Sequence, residues 1–187
     1  KDCEGLVYRL LKTVEDSTPQ SIKNLQLRSP VNIVPGYLSS YKKRKLIESA
    51  KKLLRQHIHR FIVLSDSEWA MLEPQLSELV LNKGEYYIRE GKMEKNIAFV
   101  IEGNLRQFYT SDGQEKTTYF YFENHLMSSY FSCLTGKRSQ VSIEALTDCR
   151  LLVFRYETIK SLYNQSQTWE RFGRLLAEYI AMGLEER

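Results

Sequence analysis

From residue 78 onward the apolar positions leave helical spacing and take up the alternation of strands. Leu79 and Leu81 alternate with Val80 and Asn82, and Lys83-Gly84 turns the chain. Tyr86-Tyr87-Ile88 reads as a strand, and Glu90-Gly91 turns again. Ile97-Ala98-Phe99-Val100-Ile101 predicts a buried strand, and Glu102-Gly103-Asn104 a tight turn. Leu105 to Tyr109 is the next strand, and Ser111-Asp112-Gly113 is a hairpin signal. Residues 117–122 form an aromatic-rich strand, and strands over 126–131, 140–146 and 150–154 complete the run. Short strands with turns roughly every ten residues predict an antiparallel barrel or roll over 78–155.

Helical patterns flank this region. Leu6, Val7, Leu10, Leu11 and Val14 predict a short amphipathic helix at 4–15. Pro19, Pro30 and Pro35-Gly36 then mark 17–40 as an irregular connector. Over 41–60, Leu46, Ile47, Ala50, Leu53, Leu54, His57 and Ile58 fall mostly on one side, with basic residues on the other. Ser65, with Glu68 three residues on, is the pattern of a capping box, and it opens a helix running through Trp69, Met71 and Leu72. After a short helix at 157–163, a longer one starts near Thr168.

In that last helix Trp169, Phe172, Leu176, Tyr179 and Gly183 are spaced 3, 4, 3, 4, the seam that faces a partner helix. Two heptads are short for an isolated coiled coil, so the alternative is a stripe packed on the chain's own roll. Leu175 and Ile180 supply a second apolar side, which would meet the roll while the seam meets a second copy. The fold class expected is α+β: a jelly-roll-like antiparallel β-roll of about eight strands, flanked by helices, with a long C-terminal dimerisation helix.

The composition of the 187 residues, 42% hydrophobic and 27% charged, is that of an ordinary soluble domain. No apolar run reaches the roughly 18 residues of a membrane helix, and no signal peptide opens the chain. The chain begins without Met and ends at Arg187 inside a helical pattern, which suggests a piece of a longer protein. Its net charge of +4 divides into +8 over residues 1–60 and −4 over the rest. Lys42-Lys43-Arg44-Lys45, Lys51, Lys52, Arg55 and Arg60 form the densest basic stretch, read either as a solvated helix face or as a phosphate contact.

Candidate chemistry is sparse. Cys3, Cys133 and Cys149 are odd in number and form no CxxC pair, which argues against disulfides and zinc and for buried thiols in a reducing cytoplasm. His57, His59 and His125 are scattered, and no metal or other cofactor is expected. No GxSxG, P-loop or HExxH motif is present, so no catalytic residue is named and no enzyme is expected. Tyr119-Phe120-Tyr121-Phe122 with Tyr130 and Phe131 reads as core, or as the lining of an apolar pocket.

Several phrases in fixed order carry a family resemblance. They are Lys83-Gly84-Glu85-Tyr86-Tyr87-Ile88-Arg89-Glu90-Gly91, Phe99-Val100-Ile101-Glu102-Gly103-Asn104-Leu105-Arg106 and Leu134-Thr135-Gly136-Lys137, then Ile143-Glu144-Ala145-Leu146-Thr147-Asp148-Cys149 and Trp169-Glu170-Arg171-Phe172-Gly173-Arg174-Leu175-Leu176. Together they resemble the Crp/Fnr superfamily of transcription regulators, most closely the branch common in Bacteroidetes, over about residues 47–187. Residues 1–46 stand outside that pattern as an N-terminal extension.

The resemblance implies a cytoplasmic homodimer that reaches DNA through a helix-turn-helix after the dimer helix, outside this chain. It also implies a cassette in which a Gly-Glu pair opens a short helix against a cyclic phosphate, the Glu holds the ribose and a later Arg meets the anion. Here Ser128-Ser129 stand where Gly-Glu is expected, no acidic residue occurs between Glu123 and Glu144, and Arg138 falls near the phosphate Arg. Ser128, Ser129, Arg138 and Ser139 are therefore the candidate ligand residues, with the ribose partner missing. The implied function is a sensor and dimerisation domain that has lost or exchanged its ligand. The alternative is a stand-alone or enzyme-linked small-ligand module.

Overall fold

The computed structural model describes the backbone of residues 35–185 and the side chains of residues 44–180. The helix expected at 4–15 lies outside the described residues. The roll belongs to a compact unit that begins at Arg44.

The first described helix, α1 (Pro35–Ile58), starts inside the expected connector. Proline at the first helical position gives up an N–H that has no helical partner anyway, so Pro35 opens a helix rather than breaking one. Ala50, Leu54 and Ile58 are its buried stripe, whereas Leu53 stays 42% exposed. The next helix, α2 (Asp66–Leu72), has the expected capping box: the Glu68 amide donates to Ser65 Oγ, and the Ser65 amide donates to Glu68 Oε2. Two cations of the basic stretch fasten α1 to this neighbourhood. Arg55 donates to Leu64 O and to Asp66 Oδ1, and Lys51 Nζ lies 2.9 Å from Glu48 and 3.4 Å from Glu73.

Eight strands follow: β1 (Ser77–Leu81), β2 (Tyr86–Ile88), β3 (Asn96–Glu102), β4 (Leu105–Ser111), β5 (Gln114–Tyr121), β6 (Leu126–Met127), β7 (Ser142–Ala145) and β8 (Cys149–Arg155). They form two four-stranded antiparallel sheets, ordered β1-β8-β3-β6 and β2-β7-β4-β5. The β4–β5 hairpin closes on Asp112 (φ 54°) and Gly113 (φ 75°), two left-handed residues, as the right-handed strand twist favours.

The unbroken apolar run of β3 has a direct explanation. Ile97 and Phe99, with Leu152 and Phe154 of β8, face a core shared with the helices. Ala98 and Val100, with Leu151, face the roll interior beside Leu105, Ile143 and Tyr121. A sheet covered on both faces has no polar side to show.

Two expectations are corrected. The strand over 126–131 stops at Met127, and α3 (Tyr130–Thr135) takes over. Ser128 leaves the ladder by donating to Asn96 O (2.9 Å), and Gly136 ends the helix at φ 67°, its N–H on Ser132 O. Aromatic β-propensity at Tyr130 and Phe131 yields to that local hydrogen bonding. The aromatic strand neither fills the core nor lines a pocket as a block: Tyr121 is buried, Tyr119 packs partly against the roll interior, and Phe120 and Phe122 are about half exposed.

The last helix carries the expected seam. After α4 (Tyr156–Tyr163) comes α5 (Gln167–Glu185). Trp169 and Phe172 are 0% and 2% exposed and Leu176 is buried, all within this one chain. Phe61, from the link after α1, meets Phe172 edge-on at 5.8 Å and Tyr179 at 5.7 Å. So three residues of the expected partner seam are spent on the chain's own helical core. Only Tyr179, 59% exposed, remains open, and the side chain of Gly183's turn lies beyond the described ones. Gly173 lets α5 lie against α4, since a Cβ there would run into the Tyr163 ring.

Candidate ligand-binding site

The cassette lies between β6 and β7, with α3 at its centre, pinned to the segment before β3. The Gly91 amide donates to Ser139 O (2.8 Å), the Ser139 amide to Lys92 O (2.7 Å), and the Glu94 amide to Ser132 Oγ (2.9 Å). Ser132 in turn donates to Lys137 O, which closes the loop after the helix.

The four expected residues come to this one place but do different things. Ser129 immediately precedes α3 without a side-chain cap, is 4% exposed, and its hydroxyl takes a hydrogen bond from Ser139 Oγ (2.8 Å). Ser139 Oγ also lies 2.6 Å from Val141 O, and the Val141 amide donates back to it. Ser128 points to Asn96 O and contacts Cys133 Sγ at 3.1 Å. Arg138 is exposed and donates to Gly91 O (2.7 Å). The buried hydroxyls thus satisfy one another and the backbone.

Sequence reading missed the groups beneath. Asn96 O collects Tyr87 Oη (2.9 Å) and Ser128 Oγ (2.9 Å), with Cys133 Sγ at 3.5 Å. Glu94 is 6% exposed and accepts from the Lys95 and Asn96 amides. Burial holds its carboxyl above the usual range, against those amides, which lower it. Burial likewise raises the Cys133 thiol to about 11 and the Tyr87 phenol well above its ordinary value. These groups are neutral or amide-bound hydrogen-bonders rather than nucleophiles. The one available signal was the position of Glu94, two residues before β3 begins.

A tyrosine cluster links α3 to the helices. Tyr130 meets Tyr156 edge-on at 6.0 Å. Burial and contacts with Tyr130 raise the Tyr156 phenol, and burial raises that of Tyr163 to about 12. Tyr163 then abuts Gly173 of α5.

The histidines divide. His57 packs edge-on against Phe99 at 5.8 Å, and His125 packs against Phe122 at 5.8 Å. Burial first, then the charges of Arg60 and His125, lower the His57 pKa; burial and Arg60 lower that of His125. His59 instead accepts from the Leu64 amide. Among the described residues no group of three or more His, Cys, Asp or Glu is placed to hold a metal, and no helix is long and apolar enough to cross a membrane. A groove of about 700 Å³ lies elsewhere, between His59–Val63 and the first two turns of α5.

A roll of two four-stranded antiparallel sheets, with a short helix between β6 and β7 and a long helix after β8, is the arrangement that decides the fold. Residues 78–166 match the family of the cyclic nucleotide-binding domain. That domain fold is also what solved structures show. The sensor domain of the transcriptional regulator DNR from Pseudomonas aeruginosa is similar at 20% identity and a TM-score of 0.60, over 75% of this chain and 91% of that one. The catabolite activator protein of Thermus thermophilus is similar at 22% identity and 0.57, over 66% of this chain. This chain spans 56% of that protein's length. A cyclic nucleotide-binding domain from Methylobacillus flagellatus is similar at 12% identity and 0.64, over 73% of this chain and 79% of that one. No curated protein matches the chain.

Proposed function

We propose that residues 47–187 are the sensor and dimerisation domain of a bacterial transcription regulator of the Crp/Fnr type, of the branch common in Bacteroidetes, and that the domain does not bind cyclic AMP. The observation that carries the second half is Ser129. It stands where the ribose-holding carboxylate is expected, and its buried hydroxyl is already engaged by Ser139 at 2.8 Å. No other carboxylate occurs between Glu123 and Glu144 to replace it. A ribose hydroxyl and a cyclic phosphate entering here would lose water without gaining that partner, which costs affinity.

The fold match supports the first half, with Ser128, Ser129, Arg138 and Ser139 as the residues an effector would meet. Residues 1–46 are an extension of the sensor, the protein is a cytoplasmic homodimer without catalytic activity, and DNA contact belongs to a helix-turn-helix outside residues 47–187. Isothermal titration of the chain with cyclic AMP should give no heat of binding. Micromolar affinity would overturn the reading of Ser129 and favour a cyclic-nucleotide module instead.

A further inference from the structure

The cassette exposes apolar and cationic side chains together. Two segments bonded to each other build it, residues 91–94 and the stretch from α3 to Ser139. Phe131 and Leu134 stand one turn apart on α3 and are 42% and 57% exposed, and Met93, beside the Glu94 amide that reaches Ser132, is 52% exposed. Lys92, Lys137 and Arg138, from the same two segments, are exposed. Among the described residues none of the three ion-pairs with a carboxylate. The nearby carboxylates are engaged: Glu94 is buried on amides, and Glu90 accepts from the Thr110 amide.

Elsewhere in this domain four arginines are paired. Arg55, Arg106, Arg150 and Arg174 all hold carboxylates at 2.9 Å or less. Exposed apolar side chains with unpaired cations beside them in the same two segments take an occupant of opposite charge and like apolarity. We propose that this face docks an acidic amphipathic segment of another protein, with apolar side chains over Met93, Phe131 and Leu134 and carboxylates against Lys92, Lys137 and Arg138. A second copy of the same face is a poorer fit, because it would set three cations against three cations. A nucleic acid would call for several stacking rings, and Phe131 is the one aromatic side chain here. A lipid surface is met by long amphipathic helices, whereas α3 has six residues.

The probe is a fluorescein-labelled synthetic helix with leucines on one face and glutamates on the other, followed by anisotropy with the full chain. The expected result is saturable binding that weakens with added salt and drops at least about tenfold in Leu134→Ser and in the double variant Lys92→Glu, Lys137→Glu. These side chains are exposed, so unchanged thermal melting certifies the fold of each variant. The proposal is overturned if the helix does not bind. It is also overturned if the variants bind as the wild type does, or if a lysine-for-glutamate version, phosphatidylserine vesicles or a single-stranded oligonucleotide binds as tightly.

Discussion

At Gly103 the chain passes from β3 to β4 with φ at 95°, and a Cβ there would strike Asp148 O and come within 2.7 Å of Cys149 Sγ. Both the backbone conformation and the space demand glycine. Gly103→Ala should cost roughly 2–4 kcal/mol, combining left-handed strain with overpacking, and urea unfolding measures it. Glu68 is the second residue with a disproportionate role. It closes the capping box of α2 and also accepts from Ser166 Oγ (2.7 Å) at the start of α5. Hydrogen bonding by Thr168, Ser166 and Ser65 lowers its pKa from the ordinary 4.5 to about 2. A carboxyl lowered on folding stabilises above its unfolded pKa, and that contribution disappears as pH falls through the folded one. Glu68→Gln should lower the melting temperature by roughly 2–4 °C at neutral pH, the loss of about one cap. The gap from wild type should close between about pH 4.5 and pH 2 in a melting series. The Ser65–Glu68 half of this was legible as a motif. The Ser166 half was not, because it joins residues far apart in sequence.

Elements were legible where period and turn chemistry agreed. The paired turns at Gly84, Gly91, Gly103 and Gly113, all with positive φ, separate strands close to where alternation placed them. Legibility failed where two readings shared one pattern. Residues 128–135 are rich in serine and aromatics, which suits a strand, and only the hydrogen bonds of Ser128 and Ser132 decide for α3. The apolar stripe of α5 fits a partner's groove or the chain's own core equally well by spacing. Phe61, Tyr163 and Gly173, none of them part of the heptad, settle its first half. It follows that a dimer formed through this seam would use Tyr179 rather than Trp169, Phe172 or Leu176. Tyr179→Glu should shift a dimer to monomer in sedimentation velocity. Phe172→Ala should instead destabilise the chain itself by about 3–5 kcal/mol. A Tyr179→Glu protein that stays dimeric would remove α5 as the interface.

Over the whole domain, β3 and β8 each serve two cores, so the roll interior and the helical layer are built on the same two strands. Both tryptophans of the chain lie in one of them: Trp69 of α2 and Trp169 of α5 are 7% and 0% exposed in the helical core, and the roll interior holds none. Indole emission at long excitation therefore registers the docking of helices on the sheet and is blind to rearrangements confined to the roll. Tyrosines of the roll and cassette, Tyr86, Tyr87, Tyr109, Tyr119, Tyr121 and Tyr130, absorb for the other half, alongside those of α4 and α5. An undisturbed indole signal on adding an effector would place its action inside the roll, and a red shift would place it at the helices.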